Sequence, residues 1–391
     1  MERELLTRNI EDIIVKSELT KKLKSGKKLR IKYGVDVTAP ELHIGHAVNL
    51  WKMRQFQDMG HKVVFLIGDF TTRIGDPTGK NKTRPIIHDK DIRENTELFI
   101  KQAKMILRFD DPKLLEIRRN SEWYDKMKTA DFLKLLTMIT HARLVERDMF
   151  QERIQDHKDL YMHELIYPIL QGWDSAVLKS DLTIIGSDQL FNEMLGRFYQ
   201  VKSGQKPQVI ITTTITPGID GKEKQSKSLG NYIGLTHEPF EKYGRIMSMP
   251  DELIISYYKT YTNMPLEQIE QIEKDMAMGD NPRDTKAALA HRIVERYHGE
   301  KVASQVQTQW DKQFRNGEKP TDIEICKLTT AEAKNSFKAL AKMFGLSTSE
   351  IRRKVKENGI RVNSQVFELD QALRDGDIIQ LGKRRFKKII F

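Results

Sequence analysis

The sequence predicts an α/β fold: a doubly wound parallel sheet of the Rossmann-like kind, followed by an α-helical region and a small α+β module. Short apolar runs rich in β-branched residues alternate with longer amphipathic stretches between residues 29 and 212. These runs show little alternation of polar and apolar positions, which is typical of parallel strands buried on both faces. Between residues 231 and 320 no such run occurs, and β-like runs return only near the end of the chain.

Five strands and four helices are predicted in the first region. The strands cover residues 29–35, 62–67, 114–118, 182–185 and 209–213. The helices cover residues 44–57, 92–107, 163–178 and 189–199, each with apolar positions three and four residues apart. Doubly wound sheets bind ligands at the carboxyl ends of their strands, so the residues that follow the strands are the first candidates for a site.

The rest of the chain divides into a helical part and a mixed part. Helices are predicted at residues 239–247, 251–260, 266–277 and 283–297. A stretch rich in glycine, proline and charge at 315–320 indicates a linker. Helices at 331–344 and 349–358 are then followed by strands at 360–363, 377–381 and 386–391. We therefore expect domains at residues 1–230, 231–320 and 327–391.

Composition excludes several classes of protein. With 391 residues, 39% hydrophobic and 31% charged, the chain has the make-up of a globular protein of two or three domains. No apolar run approaches the roughly 20 residues that span a bilayer, and no apolar segment of the secretory type follows the start. The single cysteine, Cys326, rules out an intrachain disulfide and a cysteine-based zinc site. We expect a cytoplasmic protein without a membrane partner.

The first polar motif follows the strand predicted at 29–35 and opens the next helix. It contains Thr38, His43, Gly45 and His46. A helix N-terminus offers unpaired N–H groups and the positive end of the helix dipole, which suit a phosphate. The two imidazoles can add hydrogen bonds to phosphate or ribose, and Gly45 lets a flat base lie against the backbone. Two surface histidines near a helix cap are the alternative for this motif taken alone.

The second polar motif follows the last strand predicted in the sheet. Between flanking glycines it carries Lys224, Ser226, Lys227 and Ser228. Such a loop can fold over a polyphosphate and stabilise the charge that develops on a leaving pyrophosphate. On its own a solvated lysine-rich loop is the simpler interpretation. Because both motifs fall at the same edge of one predicted sheet, they together favour a nucleotide site.

These motifs resemble those of a known family. Residues 43–46 resemble the HIGH signature of the class I aminoacyl-tRNA synthetases, and residues 224–228 resemble their KMSKS loop with Gln225 in place of methionine. Stretches at 69–80, 120–123, 167–174 and 186–189 are similar to the bacterial tyrosyl-tRNA synthetases, and the resemblance extends over essentially the whole chain. It implies ATP-dependent activation of L-tyrosine to tyrosyl-adenylate and transfer of the tyrosyl group to the 3′ end of tRNA(Tyr).

The resemblance also implies a role for each matching side chain. The transition state at the phosphates would be stabilised by Thr38, His43, His46, Lys224 and Lys227. Further contacts to ATP would come from Gly45, Gly186, Asp188, Ser226, Ser228, Lys80 and Arg84. The phenol of tyrosine would be bound by Asp174, and the rest of its pocket would consist of Tyr167, Gln171, Asp76, Thr71, Asn120 and Gln189. Mg²⁺ is expected with ATP, and no protein-bound metal is predicted.

Four positions that bear on the identity of the amino acid depart from the common pattern of the family, namely Lys32, Trp173, Ile185 and Gln225, and Val37 replaces a proline. Lys32 falls where many relatives have a tyrosine against the substrate phenol. These departures leave a first alternative, a paralogue that activates tyrosine or an analogue outside translation. A second alternative is an RNA-binding protein without catalysis, against which the retained histidines and lysines argue.

The last segment carries most of the net charge. From residue 327 to the end there are fifteen Lys and Arg and seven Asp and Glu, so this segment holds +8 of the +11. It resembles a small RNA-binding module that is shared with a ribosomal protein and follows the helical anticodon-binding region of bacterial tyrosyl enzymes. A basic helix beside a basic strand can track RNA phosphates. The candidate RNA contacts are Arg352, Arg353, Lys354, Lys383, Arg384 and Arg385.

The same resemblance assigns the expected domains. Residues 1–230 would form the catalytic domain, with an insertion around 125–160, and residues 231–320 would form the anticodon-binding domain. Residues 327–391 would form the RNA-binding module. The resemblance further implies a homodimer whose interface lies in the insertion.

Overall fold

Two sheets organise the chain, one in each of two compact units, Met1–Val306 and Gln307–Phe391. The structure is a computed structural model that describes residues 2–77, 87–227, 229–314, 323–333, 335–363, 365–368, 371–382 and 385–391. Its strands are β1 Ile10–Ile14, β2 Arg30–Val35, β3 Lys62–Ile67, β4 Leu115–Arg119, β5 Leu182–Gly186, β6 Val209–Thr213, β7 Glu324–Lys327, β8 Ile360–Val362, β9 Gln365–Val366, β10 Ile378–Leu381 and β11 Arg385–Ile390.

Most of the described residues outside the strands are helical. The α-helices are α1 Glu2–Leu5, α2 Lys16–Lys24, α3 Ile44–Asp58, α4 Asp69–Ile74, α5 Asp89–Ala103, α6 Ser121–Tyr124, α7 Thr129–Leu136, α8 His141–Val145, α9 Asp148–Gln155, α10 Met162–Leu178, α11 Leu190–Lys202, α12 Pro239–Met247, α13 Ile254–Tyr261, α14 Leu266–Ala277, α15 Pro282–His298, α16 Glu300–Phe314, α17 Thr330–Ala333, α18 Ser336–Phe344 and α19 Thr348–Lys356. Short 3₁₀ turns cover Ser187–Gln189 and Asp251–Leu253.

The sheet of the first unit confirms the predicted α/β fold. Its strand order is β1-β6-β5-β2-β3-β4, with β2 to β6 parallel and β1 antiparallel to β6. All five residues of β6 and the last five of β3 are buried, as expected for parallel strands covered on both faces. The edge strand β1 was missed because Glu11 and Asp12, both exposed, interrupt its apolar run.

The order of the strands reverses between β2 and β5. From β2 the chain moves outward through β3 to β4, whereas β5 and β6 lie on the other side. Such a switch point leaves a crevice at the carboxyl ends of the two adjoining strands. Helix α3 begins beyond the end of β2, and the 3₁₀ turn Ser187–Gln189 follows β5 directly, so both lead from this crevice.

The predicted helices of the first unit are confirmed, with shifts at their ends. Helices α12 and α14 have the predicted bounds, and the helix predicted at 251–260 is divided into the 3₁₀ turn Asp251–Leu253 and α13. Helices α1, α2, α4, α6 to α9 and α16 were not predicted. No helix among the described residues is long and apolar enough to cross a membrane.

The second unit has a five-stranded sheet in the order β7-β11-β10-β8-β9. Its core contains Leu340, Ile351, Ile360, Ile379 and Ile389, all fully buried. The three predicted strands are present, but β7 and β9 are too short to show a period and were missed. Strand β7 pairs in parallel with β11 and begins three residues before the predicted start of the module at 327.

The helix predicted at 331–344 is two helices. Asn335 separates α17 from α18, and its side-chain oxygen accepts a hydrogen bond from the backbone N–H of Lys338 at 3.1 Å. An asparagine in this position caps a new helix and does not continue the previous one. The predicted linker at 315–320 lies outside the described residues. The predicted domain boundaries, including the one at 230, stay predictions.

Candidate active site

A cavity of about 360 Å³ lies at the switch point of the first sheet. Most of the predicted site residues line it: Thr38, His43, Gly45, His46, Thr71, Asp76, Asn120, Tyr167, Gln171, Asp174, Gly186, Asp188, Gln189 and Lys224. Ser226 and Lys227 belong to the same loop as Lys224 but are not part of the lining. Lys80, Arg84 and Ser228 lie outside the described residues.

Helix α10 supplies three of these side chains from one face. Tyr167, Gln171 and Asp174 are four and three residues apart, the spacing that aligns side chains along a helix. The Tyr167 hydroxyl donates to Asp36 Oδ2 at 2.8 Å, and Gln171 Nε2 donates to Glu193 Oε1 at 2.9 Å. The sequence therefore directs three polar groups of a largely apolar helix into one cavity.

The Asp174 carboxylate is buried, with 3% of the residue exposed, and has two donors from the protein. Trp123 Nε1 donates to its Oδ1 at 3.0 Å, and Asn120 Nδ2 lies 3.3 Å from its Oδ2. Burial raises the pKa of Asp174 to about 7, while Lys32 and the hydrogen bonds act in the opposite direction. The carboxylate is thus oriented by the protein before any ligand arrives.

Asp36 joins the same network and was not singled out by the sequence. Its Oδ1 accepts a hydrogen bond from Thr71 Oγ1 at 2.7 Å, and Thr71 Oγ1 in turn lies 3.0 Å from Asn120 Nδ2. A Cβ atom on Gly68 would lie 2.3 Å from Asp36 Oδ1, so this approach requires glycine. The available signal was its position, because Asp36 directly follows β2 at the carboxyl edge of the sheet.

Amide side chains fix the neighbouring part of the cavity. Gln189 Nε2 donates to Asp76 Oδ2 at 2.7 Å. Asn192 Nδ2 donates to the side-chain oxygens of Gln189, at 3.0 Å, and of Gln171, at 2.8 Å. The orientation of both glutamine amides is therefore set by the protein.

Lys32 forms a buried ion pair beside the cavity. Its Nζ donates to Glu193 Oε1 at 2.8 Å and to Ser175 Oγ at 2.7 Å. The Lys32 and Glu193 side chains are only 1% and 2% exposed. Glu193 Oε2 also accepts from Gln208 Nε2 at 2.8 Å, so the pair is fully embedded in hydrogen bonds. Of the four departures, Lys32, Ile185 and Gln225 line the cavity, whereas Trp173 packs edge-on against Tyr199 outside it.

The two histidines of the first motif lie together at the start of α3. The backbone N–H of His43 donates to His46 Nδ1 at 3.2 Å, and the two ring centroids are 3.8 Å apart. Burial is the main cause that lowers the pKa of His43 to about 2 and that of His46 to about 4, and nearby lysines act in the same direction. Both imidazoles are therefore neutral near pH 7. A Cβ atom on Gly45 would lie 2.9 Å from His43 Nδ1, so glycine leaves the room this ring needs.

The second motif brings cations to the same end of the cavity. Lys224 Nζ lies 3.6 Å from Asp188 Oδ2, with side chains 59% and 37% exposed. Lys227 Nζ is buried and has no hydrogen-bond partner among the described residues, and the same holds for His43 Nδ1. Burial lowers the pKa of Lys227, with Glu41 opposing it. A Cβ atom on Gly186 would lie 2.8 Å from Asp188 Oδ1, so this carboxylate also depends on a neighbouring glycine.

Comparison with known proteins identifies the family of this chain. Residues 24–315 match the family model of class I tRNA synthetases (W and Y). The chain is 43% identical over 389 residues to the tyrosine–tRNA ligase of Idiomarina loihiensis, covering 98% of this chain and 96% of the relative. It is 42% identical over 390 residues to the tyrosine–tRNA ligase of Thermotoga maritima, with the same coverage. The chain belongs to the bacterial tyrosyl-tRNA synthetases of class I.

Solved structures of this family share the fold. A C-terminally truncated mitochondrial tyrosyl-tRNA synthetase from Aspergillus nidulans superposes with a TM-score of 0.65 at 25% identity, covering 80% of this chain and 92% of that one. The tyrosyl-tRNA synthetase from Archaeoglobus fulgidus, complexed with L-tyrosine, superposes with a TM-score of 0.60 at 23% identity, covering 78% and 98%.

The candidate RNA contacts of this synthetase lie in its second unit, beyond the end of the family model. Arg352 and Arg353 are exposed on α19, and Lys354 Nζ lies 3.0 Å from Glu357 Oε2. The Arg385 guanidinium donates to the carbonyl of Phe344 at 2.7 Å and so also stabilises the fold. Lys383 and Arg384 lie outside the described residues.

A possible metal-binding group lies far along the chain from these motifs. His291, Glu295 and Glu300 each offer one ligand atom within 4.8 Å of the others, the one such group among the residues the structure describes. None of the three lines the cavity. The group is therefore separate from the candidate active site.

Proposed function

We propose that this protein is a tyrosine–tRNA ligase that forms tyrosyl-adenylate and pyrophosphate from L-tyrosine and ATP and then charges tRNA(Tyr). The observation that carries the proposal is the division of one cavity into two chemically distinct ends. Hydrogen-bonded carboxylates and amides line it around Asp174, and neutral imidazoles with Lys224 line it around the start of α3. The two substrates of the first reaction need these two environments side by side.

The amino-acid end consists of Asp174, Asp76, Tyr167 and Gln171. Asp174 accepts the phenolic hydroxyl of tyrosine, since its carboxylate faces the cavity and Trp123 and Asn120 already hold it. Asp76 and the oxygen atoms of Tyr167 and Gln171 receive the α-ammonium group, which needs acceptors and a negative charge. Thr71, Asn120 and Gln189 complete the pocket.

The phosphate end is lined by His43, His46 and Lys224, and Lys227 lies in the same loop as Lys224. The neutral imidazoles donate hydrogen bonds, and the lysines supply the positive charge for the β- and γ-phosphates, together with Thr38. The buried amine of Lys227 has no acceptor among the described residues, so a phosphate oxygen is a suitable partner. The exposed ion pair of Lys224 with Asp188 is weak, and a ribose that binds Asp188 and Gly186 would release Lys224 toward the phosphates.

Catalysis then rests on positioning and charge stabilisation. The carboxylate of tyrosine attacks the α-phosphorus while the bond to pyrophosphate breaks, so no nucleophile or general base of the protein is required. The negative charge that develops on the leaving pyrophosphate is stabilised by Lys224 and Lys227. Mg²⁺ enters with ATP, because this hard cation binds phosphate oxygens, and no protein ligand is assigned to it.

The paralogue that acts outside translation is not favoured. The curated tyrosine–tRNA ligases align over 98% of this chain, which includes the second unit as well as the cavity. The exposed arginines of α19 support RNA binding by that unit. The homodimer and the cytoplasmic location stay predictions, and sedimentation of the purified chain tests the first of them.

Pyrophosphate exchange into ATP across a panel of amino acids tests the proposal, followed by charging of total tRNA. We expect exchange that depends on tyrosine and charging of one tRNA species. Exchange without dependence on tyrosine would contradict the specificity, and exchange without charging would support the paralogue. Asp174→Ala should impair tyrosine activation far more than ATP binding, whereas unchanged tyrosine kinetics would remove Asp174 from the pocket.

A further inference from the structure

Two tyrosine hydroxyls on one helix contact the loop that carries Lys224 and Lys227, here called the signature loop and defined as residues 216–227 and 229–231. Tyr257 and Tyr261 are four residues apart on α13, so they share one face. Their rings are buried and meet edge-on with centroids 4.8 Å apart. The hydroxyl of each tyrosine is directed at the signature loop.

The hydroxyls hold both arms of the loop. In the first arm, Tyr257 OH donates to the carbonyl of Pro217 at 3.0 Å, and Thr216 Oγ1 is hydrogen-bonded to Tyr261 OH. In the second arm, Gln225 Nε2 donates to Tyr261 OH at 2.7 Å. The arms are also joined to each other by an isolated antiparallel bridge between Pro217 and Lys224. Helix α13 therefore contacts the loop at Gln225, directly next to Lys224.

Gln225 has the character of an internal residue in an otherwise exposed loop. Only 7% of it is exposed, while the neighbouring Glu223 and Lys224 are exposed. Its Oε1 accepts from the backbone N–H of Ile233 at 3.3 Å, so both ends of the amide are used. Methionine, the usual residue of the motif, has no N–H to donate. The bond to Tyr261 thus depends on the departure from the common pattern.

The helix that carries the two tyrosines is itself firmly held. The Arg8 guanidinium is buried and donates to the backbone carbonyls of Tyr258 at 3.2 Å and of Thr262 at 2.8 Å. Arg296 Nη1 donates to the carbonyl of Tyr261 at 2.8 Å. Cations at the C-terminus of a helix satisfy its last carbonyls and its dipole. The hydroxyls of Tyr257 and Tyr261 therefore project from a fixed support.

We propose that Tyr261 and Gln225, assisted by Tyr257, are positioning residues that fix the signature loop so that its lysines face the phosphates of ATP. The inference rests on the proposed function and deepens it, because it names what holds Lys224 at the cavity. A glycine-flanked lysine loop loses much conformational entropy when it is ordered. Bonds that order the loop before ATP arrives reduce this cost in the transition state, which is where the lysines act.

The test compares Tyr261→Phe, Gln225→Met and the double variant in tyrosine-dependent pyrophosphate exchange. Each single variant should lower kcat roughly threefold to tenfold, the effect of losing buried hydrogen bonds that order the loop, with an unchanged KM for tyrosine. Both changes remove the bond between Gln225 and Tyr261, although Tyr261→Phe also removes the bond to Thr216 and Gln225→Met also removes the bond to Ile233. The effect of the double variant should therefore fall clearly short of the product of the two single effects.

Tyr258→Phe is the matched control. Tyr258 is buried on the same helix, but its hydroxyl donates to the carbonyl of Thr285 at 3.1 Å, away from the loop. Tyr258→Phe should lower the melting temperature about as much as Tyr261→Phe does, and its kcat should stay within about twofold of the wild-type value. The inference is overturned if Tyr261→Phe leaves kcat unchanged, if Tyr258→Phe lowers kcat equally, or if the two changes multiply. A wild-type protein without tyrosine-dependent exchange would overturn the proposed function instead.

Discussion

The polar groups at the two ends of the cavity differ in their hydrogen bonding to the protein. At the amino-acid end, Asp174 receives two hydrogen bonds from the protein and Asp76 receives one from Gln189. At the phosphate end, Lys227 Nζ and His43 Nδ1 are buried without a hydrogen-bond partner among the described residues. The two carboxylates of one end are hydrogen-bonded before their ligand binds, whereas the other end holds a buried amine and a buried imidazole nitrogen that a ligand can satisfy.

The difference follows from the two ligands. A small neutral phenol is recognised by the exact direction of a few hydrogen bonds, and directions are held by side chains that are themselves hydrogen-bonded. A polyphosphate brings several negative charges, and cations that were already paired would have to break those pairs first. The paired end therefore serves selection, and the unpaired end serves charge stabilisation.

Two lysines show the contrast within one residue type. Lys32 is neutralised by Glu193 and belongs to the paired end, whereas Lys227 has no carboxylate within salt-bridge distance in the part of the chain that the structure describes. If the contrast is real, removing Lys32 should affect mainly folding, and removing Lys227 should affect mainly catalysis.

The largest effect is expected for Lys32→Met. It leaves Glu193 buried without its cation, so the free energy of unfolding in urea should fall by about 3–5 kcal/mol. The double change with Glu193→Met should recover most of this loss. Lys52→Met is the control, because Lys52 is also buried but donates to the carbonyl of Leu5 at 2.9 Å, and its loss should be about 1 kcal/mol. Equal losses of unfolding free energy for Lys32→Met and Lys52→Met would contradict a particular role for the ion pair between Lys32 and Glu193.

The second effect concerns the pH dependence of stability at Asp174. Burial raises the pKa of Asp174 in the fold to about 7, well above the ordinary value of an aspartate, so folding favours the protonated form. The contribution of protonated Asp174 to the stability of the fold is fully present below about pH 4 and is lost as the pH rises through 7. Relative to Asp174→Asn, the wild type should lose about 4 kcal/mol of unfolding free energy between pH 4 and 8. A difference that grows with pH would mean that the carboxylate is stabilised in its charged form.

The third effect is kinetic and belongs to the unpaired end. Lys227→Met should lower kcat for tyrosine activation by roughly 100- to 1,000-fold, the usual effect of removing a group that stabilises transition-state charge. The melting temperature should not fall, because no described hydrogen bond of Lys227 Nζ is lost. Lys222→Met, at an exposed lysine of the same loop, should change neither quantity. A loss below tenfold for Lys227→Met would assign the charge stabilisation to another group.

The unpaired end was predicted from its own residues, whereas the residues of the paired end were predicted through the resemblance to the family. His43, His46 and Lys224 follow strands in short local motifs, and local motifs at the carboxyl edge of a sheet can be read directly. Asp36 and Glu193 were missed because their partners are distant in the chain. Lys32 meets Glu193 across 161 positions, so this pair exists only once β2 and α11 are packed.

Dependence on partners that are distant in the chain also explains the strands that were missed. Strand β1 has charged residues at its centre, and it is stabilised by pairing with β6, about 200 positions away. Strands β7 and β9 have four and two residues, too few for a period, and gain their structure from neighbours in the second sheet. Edge strands that are very short or interrupted by charge therefore depend on tertiary contacts, whereas β4, which is also at an edge, was predicted from its own residues.

The smallest effect is expected at His43 and His46, whose charge should not change between pH 5 and 9. Burial lowers their pKa values to about 2 and 4, so both rings are neutral throughout this range. The NMR shifts of the two imidazoles, assigned with His43→Gln and His46→Gln, should stay constant while exposed imidazoles of the chain titrate. An inflection near pH 6.5 in either ring would add a protonated histidine to the phosphate end. A flat profile would leave the lysines as the source of positive charge there, with the imidazoles acting only as neutral donors.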